Sequence, residues 1–281
     1  MKIGLISDLH IDINEAYPVM DLLAAKCRQE SLNLLVIAGD VSETPARTIE
    51  AVHGLQENLQ KDTGRRVCYV PGNHDMWNKN CPDRKTEEIA EAFEEDPLCL
   101  SGKKVLQEGD CLLVGDIGWY DYSFASASYS KDQLDSMRIG GRTWQDKFFN
   151  SWTGDNEAAM KASLARMRES LEAAKEKISA EETLIAVTHM LPIRDFCVPE
   201  DQKDWGFFNA FLGGEAIGDL LREYPVKIAV CGHVHYRSCL EKDGIFWICP
   251  CLGYHSEWPL YGLADNEAET HIADALQIMN I

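Results

Sequence analysis

The sequence predicts a layered α/β fold, because short aliphatic runs alternate with amphipathic stretches along its 281 residues. Two apolar runs near the end of the chain flank Lys242, Asp243 and Gly244, which is typical of a β-hairpin and indicates a second sheet. The sequence has no internal repeat and no low-complexity linker. It therefore predicts one domain over residues 1–281.

Six aliphatic or β-branched runs have the length and composition of buried strands. The candidate strands are Lys2 to Ser7, Leu34 to Ala38, Arg66 to Val70, Cys111 to Gly115, Thr183 to Thr188 and Lys227 to Cys231.

Two helices have clear start signals. Thr44 and Pro45 supply an N-cap and a first-turn proline ahead of apolar residues spaced for one helical face. Asp155 or Asn156 caps a later helix, whose apolar residues from Met160 to Ile178 repeat at intervals of three and four. We expect both apolar faces to pack on the core.

Segment 119–153 has a different character, because it is rich in Ser, Tyr, Trp and Gly and has no sustained period. We interpret it as a long insertion over one face of the domain, and loops of this length often serve function. Trp119, Tyr120 and Asp121 begin the insertion, where they either line a substrate pocket or anchor the loop.

Composition argues against several classes of function. The net charge of −19 opposes the approach of a polyanion, so long nucleic acid is not expected as a partner. We expect no secretory signal and no membrane span, since no apolar run reaches the ~18 to 20 residues needed. The ten scattered cysteines, including the pair Cys249 and Cys251, fit packing thiols in a reducing cytoplasm.

Five polar clusters each follow a predicted strand. The clusters are Asp8 to His10, Gly39 with Asp40, Gly72 to Asp75, Thr188 with His189, and Gly232 to His235. Because the carboxyl ends of strands in an α/β sheet gather along one edge, where ligand sites form, we expect these side chains to converge.

The residue types in these clusters indicate metal binding. Carboxylate, imidazole and amide oxygen without thiolate suit Mn²⁺, Fe, Zn²⁺ or Co²⁺. Five of the eight histidines fall inside the clusters, which packing alone does not explain. His233 and His235 would face opposite sides of a regular strand, so we expect a turn at Gly232 to direct them to adjacent metals.

In this order the five motifs resemble those of the calcineurin-like metallophosphoesterase superfamily, over residues 8–235. The resemblance implies a four-layer α/β/β/α sandwich, with two mixed sheets flanked by helices and a dimetal site at the carboxyl ends of strands. The implied ligands are Asp8, His10, Asp40 and His235 for one ion, and Asp40, Asn73, His189 and His233 for the other. The resemblance also implies that His74 is the catalytic histidine outside the ligand set and that Asp75 orients its ring.

The implied chemistry is hydrolysis of a phosphoester by a hydroxide that bridges two divalent ions. The ions would clamp the phosphoryl group, and their charge would attract a phosphate despite the acidity of the chain. His74 would act as general acid on the leaving oxygen. We expect Mn²⁺ first, with Fe, Zn²⁺, Co²⁺ and Ni²⁺ as alternatives, and a small phosphorylated substrate.

Departures from particular subfamilies narrow the resemblance. Val41, Ser42 and Glu43 follow Asp40, so the tyrosine of purple acid phosphatases and the Val-Asp-Arg-Gly sequence of protein phosphatases are missing. The bacterial phosphodiesterase and phosphomonoesterase branch matches better, with monoester and diester both open. The alternatives are a DNA nuclease of the Mre11 or SbcD kind, disfavoured by the acidic composition, and a non-catalytic Vps29-like scaffold, disfavoured because every ligand position is filled.

Overall fold

Two mixed β-sheets lie face to face at the centre of the molecule. The computed structural model describes residues 1–265 and 267–281, apart from the side chains at positions 62 and 63. Helices cover the outer face of each sheet, so the layers run helix, sheet, sheet, helix. The predicted four-layer α/β/β/α sandwich is confirmed.

The first sheet has four strands. These are β1 (Lys2–Ile6), β2 (Leu34–Ala38), β3 (Arg66–Val70) and β12 (Gln277–Asn280), in the spatial order β12, β1, β2, β3. The strands β1 to β3 are parallel, and β12 is antiparallel to β1. The helices on its outer face are α1 (Val19–Gln29), α2 (Pro45–Thr63), α3 (Thr86–Glu95) and α9 (Ala268–Ala275).

The second sheet has six strands. These are β4 (Leu106–Glu108), β5 (Cys111–Gly115), β8 (Thr183–Val187), β9 (Val226–Val230), β10 (Ser238–Lys242) and β11 (Ile245–Cys249). Their spatial order is β10, β11, β9, β8, β5, β4, with the four central strands parallel and both edge strands antiparallel. The helices α6 (Asn156–Lys177) and α8 (Glu215–Arg222) cover its outer face.

Short elements make up segment 119–153 and the other long connections. They are α4 (Lys131–Asp135), β6 (Arg138–Ile139), β7 (Arg142–Thr143), α5 (Asp146–Phe149), α7 (Trp205–Phe208) and the 3₁₀ turns Arg194–Phe196, Asn209–Phe211 and Trp258–Tyr261. Trp119 and Tyr120 are fully buried, and Trp119 Nε1 donates a hydrogen bond of 2.9 Å to Asn156 Oδ1. The start of segment 119–153 is therefore anchored in the core.

The strand predictions are confirmed. β2, β3 and β5 have the predicted bounds, β1 and β8 end one residue earlier than predicted, and β9 is shifted by one residue at both ends. Every residue of β2 is buried, because the sheet is covered on both faces and its strands need no polar alternation. The predicted hairpin joins β10 to β11 through Asp243 and Gly244, whose φ values of 57° and 75° fit a type I′ turn.

Two other sequence features have a simple structural outcome. All ten cysteines are free thiols, and the Sγ atoms of Cys249 and Cys251 lie 3.5 Å apart in the interior. Within the described part of the chain, no helix is both long enough and apolar enough to cross a bilayer.

Candidate metal centre

The loops that follow β1, β2, β3, β8 and β9 meet at one edge of the two sheets. Backbone hydrogen bonds join neighbouring loops, since His10 N donates to Asp40 O at 3.0 Å and Gly232 N donates to His189 O at 2.9 Å. Asp8 is fixed by His233 N, which lies 3.0 Å from its Oδ1. These hydrogen bonds thus hold the polar side chains close together before any ligand binds.

The structure brings all seven predicted ligands together. They form two groups in which one donor atom from each residue lies within 4.8 Å of the others. The first group is Asp8, His10, Asp40 and His235, and the second is Asp40, His189 and His233. Asn73 joins the second group, because its Oδ1 lies 3.1 Å from His189 Nε2. Asp40 is the residue that the two groups share.

The donor atoms fit divalent cations. Ring nitrogens face one another in pairs, with 3.0 Å between His10 Nε2 and His235 Nε2 and 3.2 Å between His189 Nε2 and His233 Nδ1. Asp40 Oδ2 is buried and accepts no aligned hydrogen bond from the described residues, although His189 Nε2 lies only 3.4 Å away. Converging lone pairs of nitrogen and oxygen suit Mn²⁺, Fe, Co²⁺ or Zn²⁺.

Three of the four histidines in these groups have a partner on the ring nitrogen that faces away from the site. His189 Nδ1 lies 2.8 Å from Ala38 O, and His233 Nε2 lies 3.1 Å from Phe211 O. His235 Nδ1 lies 2.8 Å from Glu257 Oε2. Such contacts fix the tautomer and aim the other nitrogen at a metal.

Left-handed backbone is concentrated at this site. Eleven non-glycine residues of the described chain have positive φ, and five of them belong to the two donor groups. They are Asp8, His10, Asp40, His233 and His235, with φ between 42° and 74°. Strain of this kind persists where surrounding structure enforces it, as at functional sites.

The expected turn in the Gly232 to His235 motif is present, but Gly232 is not the residue with left-handed backbone. The chain turns by the positive φ of His233 and His235 themselves, at 74° and 57°. Gly232 is needed for space, because a Cβ there would lie 2.7 Å from Asp8 Oδ2. The same holds for Gly72, where a Cβ would lie 2.1 Å from Asp40 Oδ1.

Burial and the carboxylates of Asp8 and Asp40 set the protonation of the histidines. Burial lowers the pKa of His10 to about 4 and that of His233 to about 3, so both rings are neutral at pH 7. Burial also acts against the charged form of His189, but the adjacent Asp40 outweighs it and raises the pKa to about 9. A bound cation would take the place of that proton.

His74 lies beside the two groups and belongs to neither. Its backbone N–H donates to Asp40 Oδ1 at 3.0 Å, and its Nε2 lies 4.0 Å from Asp40 Oδ2. The ring is stacked on Trp77, with 3.7 Å between ring centroids, and meets His10 edge-on at 4.9 Å. His74 therefore presents a fixed imidazole next to the shared carboxylate.

Asp75 does not orient the ring of His74, contrary to expectation. Its Oδ1 accepts from Ser42 N at 2.9 Å and Thr48 Oγ1 at 2.5 Å, and its Oδ2 accepts from Gly72 N at 2.7 Å. His74 Nδ1 has no hydrogen-bond partner among the described residues. Asp75 ties the loops after β2 and β3 together, and stacking on Trp77 holds the His74 ring.

Sequence analysis missed three residues that contact the site. Asp146, in segment 119–153, accepts a hydrogen bond of 2.8 Å from Asn73 Nδ2. Glu257 contacts His235, and the Tyr254 ring lies 4.5 Å from that of His235. None of the three lies directly at the end of a predicted strand, and none belongs to one of the five polar clusters.

Two cavities meet at His74. The first, of about 250 Å³, is lined by Asp40, His74, Trp144, Trp205, Leu212, His233, Val234, His235, Tyr236, Tyr254, Glu257, Leu260 and Tyr261. The second, of about 390 Å³, is lined by Ile13, Glu43, Asn73, His74, Trp77, Lys79, Trp144, Gln145, Asp146, Phe149 and Tyr254. His74, Trp144 and Tyr254 line both, so a group bound over Asp40 would have space on two sides.

The model of the calcineurin-like phosphoesterase family matches residues 1–237. The chain belongs to the calcineurin-like phosphoesterase family. It is a hydrolase that acts on phosphoester bonds, and the resemblance drawn from its motifs is confirmed. Glu257 and Tyr254 lie outside the matched residues.

Relatives of this family extend the comparison. The chain is 24% identical over 277 residues to the [acyl-carrier-protein] phosphodiesterase PptH of Mycobacterium tuberculosis, covering 90% of this chain and 78% of that protein. It is 21% identical over 265 residues to an uncharacterized protein of Acanthamoeba polyphaga mimivirus, covering 90% and 91%. The crystal structure of the phosphopantetheinyl hydrolase PptH of M. tuberculosis superposes with a TM-score of 0.71 at 21% identity, covering 99% of this chain and 95% of that one. That likeness supports the fold.

Proposed function

We propose that this enzyme hydrolyses a phosphodiester at a pair of divalent ions bridged by Asp40. The observation that carries the proposal is the sharing of Asp40 by two convergent donor groups, with His74 Nε2 4.0 Å from the shared carboxylate. The proposed ligands are Asp8, His10, Asp40 and His235 for one ion, and Asp40, Asn73, His189 and His233 for the other. When bound, the ions would neutralise phosphate charge and make a water molecule acidic enough to attack.

His74 is the proposed general acid. Burial lowers the pKa of its ring well below the usual range, while Asp40 acts in the opposite direction. An anionic phosphate bound beside the ring would favour the protonated form, which could then give its proton to the leaving oxygen. Stacking on Trp77 and the backbone bond to Asp40 would keep the ring in place for that transfer.

A diester fits the surroundings of the site better than a monoester. A diester has two organic arms on one phosphorus, and two cavities extend from His74. A monoester dianion needs extra positive charge, whereas no Lys or Arg is among the described residues that line the first cavity. In the second cavity Lys79 is already paired with Glu43 at 2.8 Å.

The proposal also covers the identity of the metal ion, the domain organisation and the location of the enzyme. Mn²⁺ is proposed as the working ion because the donor set is nitrogen and oxygen only, with Fe, Zn²⁺, Co²⁺ and Ni²⁺ as alternatives. Residues 1–281 would act as one domain, with segment 119–153 supplying Trp144 and Asp146 to the site. The ten free thiols suit a cytoplasmic enzyme.

A phosphopantetheinyl ester carried on a protein is a second candidate substrate, larger than the small molecule that the sequence suggested. The M. tuberculosis relative is named an acyl-carrier-protein phosphodiesterase, and its crystal structure is that of a phosphopantetheinyl hydrolase. The two cavities would have to admit a long arm on one side and a protein on the other. Mass spectrometry of a phosphopantetheinylated carrier protein, before and after incubation with enzyme and Mn²⁺, tests this candidate.

The proposal is tested by comparing bis-p-nitrophenyl phosphate with p-nitrophenyl phosphate in the presence of Mn²⁺. We expect the diester to be hydrolysed with the higher kcat/KM, and Asp40→Ala to lose both bound metal and turnover. Failure of both esters with each of Mn²⁺, Fe²⁺, Co²⁺, Ni²⁺ and Zn²⁺ would favour the non-catalytic scaffold. Preference for the monoester would overturn the assignment to diesters.

A further inference from the structure

Exposed apolar side chains are concentrated beside the catalytic cleft. Three large hydrophobic residues of the described chain are well exposed, namely Leu260 at 78%, Phe148 at 59% and Tyr236 at 45%. Leu260 and Tyr236 line the first cavity, and Phe148 precedes Phe149 of the second. Large apolar groups in water at a cavity mouth are typical of ligand sites.

The first cavity continues inward with the same chemistry. Trp144 and Trp205 form aromatic walls, and Leu212 and Val234 add aliphatic surface. Its volume of about 250 Å³ is just below the ~300 Å³ at which sites for whole small molecules begin, so it suits one arm of a substrate.

The charged groups of this cavity would repel an anion. Apart from the proposed metal ligands and His74, Glu257 is the one charged residue among the described residues that line this cavity. Glu257 Oε2 already accepts hydrogen bonds from His235 Nδ1 at 2.8 Å and from Tyr254 N at 3.0 Å, so its role is to hold the wall. The second cavity differs, because there Lys79 forms an ion pair with Glu43 and its ammonium lies over the Trp77 ring, 4.5 Å from the ring centroid.

The wall of the first cavity is fixed to the metal centre. The Tyr261 hydroxyl donates to the carbonyl oxygen of His235, and the Arg237 guanidinium stacks on the Tyr261 ring at 3.7 Å. Trp144 Nε1 donates to Asp146 Oδ2 at 2.9 Å. The cavity is therefore preformed, which lowers the entropic cost of binding an arm in it.

We propose that the first cavity is a subsite for an uncharged, mainly apolar arm of the diester, and that it rejects an arm ending in an anion. This inference rests on the proposed diesterase function. Each methylene buried there should improve kcat/KM by roughly fourfold, until the chain fills the cavity. An anionic end would lose hydration beside Glu257 with no cation to receive it.

A matched ester series tests the subsite. The substrates are the methyl, butyl, hexyl and ω-carboxypentyl esters of p-nitrophenyl phosphate, assayed with Mn²⁺ for release of p-nitrophenolate. We expect kcat/KM to rise at least about tenfold from methyl to hexyl, and to fall for the ω-carboxypentyl ester, which matches hexyl in length. A flat series, or faster turnover of the carboxylate, would overturn the subsite while leaving diester hydrolysis intact. If none of the esters reacts, the proposed function fails and the subsite fails with it.

Two surface variants locate the effect. The double variant Tyr236→Ser/Leu260→Ser should reduce the hexyl-to-methyl ratio of kcat/KM several-fold, because it removes apolar surface from the cavity mouth. Phe148→Ser is the matched control, since it also replaces an exposed aromatic residue and lies outside the first cavity. It should keep the wild-type ratio. Equal loss of the ratio in the control, or none in the double variant, would contradict the assignment of the arm to this cavity.

Discussion

The Asp146 carboxylate fixes which end of the Asn73 amide faces the metal centre. Asn73 Nδ2 donates to Asp146 Oδ1 at 2.8 Å, and a carboxylate can only accept, so Asn73 Oδ1 must point towards His189. The indole nitrogens of Trp77 and Trp144 also donate to Asp146, at 2.8 and 2.9 Å. Asp146, in segment 119–153, thereby orients the side chain of Asn73, a proposed ligand that follows β3.

We therefore expect Asp146→Asn to weaken the second ion selectively. The amide can present its NH₂ group to Asn73, which would no longer be held with its oxygen inward, and metal affinity should fall by about 10- to 100-fold. Metal analysis after dialysis should give nearer one ion per chain than two, and excess Mn²⁺ should restore part of the turnover. Asp96→Asn is the matched control, because Asp96 is a buried acid bonded to His53 and Tyr69. It should lower thermal stability and leave the metal content at the wild-type value; equal metal loss in both variants would contradict the role of Asp146.

His74→Ala should separate catalysis from metal binding. The ring belongs to neither donor group, so both ions should remain, while turnover should fall by ~10²- to 10⁴-fold as expected for loss of a general acid. The loss should be larger for an alkyl leaving group than for p-nitrophenolate, which leaves with little help from a proton. Kinetics on both kinds of ester, with metal analysis of the same samples, check this. A variant that loses metal, or that slows both leaving groups equally, would assign His74 a different role.

The strands, and the convergence of the polar side chains that follow them, could be predicted because both depend on local sequence. A strand covered on both faces is a continuous apolar run, as in Leu34–Ala38, and Asp40 lies directly after it. Residues such as Asp146 and Glu257 act through tertiary contacts, 73 residues from Asn73 and 22 from His235. Their neighbours in sequence carry no pattern that marks those contacts.

The backbone conformation at the proposed ligands could not be predicted from the sequence either. Glycine is the residue expected at a turn, so the sequence predicts the turn at Gly232. The structure has positive φ at His233 and His235 instead. Positive φ at a histidine follows from the contacts that enforce it, such as the hydrogen bond from His233 N to Asp8. Likewise the motif placed Asp75 next to His74, yet the backbone directs its carboxylate to Ser42 and Thr48.

Glu257 is expected to support the first ion through His235. It accepts from His235 Nδ1 at 2.8 Å, which leaves Nε2 free to face the metal and makes the ring a stronger ligand. Glu257→Gln keeps an acceptor but removes the charge, whereas Glu257→Ala removes both. We expect metal affinity to decrease in the order wild type, Gln, Ala, with a total loss of about 10- to 100-fold, measured by titration with Mn²⁺.

Glu223→Gln is the control for this series, because Glu223 is an exposed surface acid paired with Arg168 and belongs to neither donor group. Its metal affinity should equal that of the wild type. A glutamine variant as weak as the alanine variant would show that charge alone matters. An alanine variant with full affinity would remove Glu257 from the metal centre.

Metal binding should depend steeply on pH and release protons. Asp40 overcomes the effect of burial and raises the pKa of His189 to about 9, so the metal-free ring carries a proton at pH 7 that a cation must displace. Apparent affinity for Mn²⁺ should therefore rise between pH 6 and pH 8 by up to about tenfold per pH unit for each proton displaced. Calorimetric titrations in buffers of different ionisation enthalpy measure that proton release. Binding without proton release at pH 7 would contradict the protonated state of His189.

The same proton should govern the stability of the metal-free protein. A histidine whose pKa is raised in the folded state contributes stability that is fully present below the unfolded value, ~6.5, and is lost as pH rises through the folded value. For His189 that window ends at about 9, so the metal-free protein should melt at a lower temperature at pH 9 than at pH 6.5. With Mn²⁺ bound the cation replaces the proton, and the decrease should shrink or vanish. Parallel melting curves with and without metal check this, and a metal-free protein that is as stable at pH 9 as at pH 6.5 would mean that the His189 proton does not stabilise the fold.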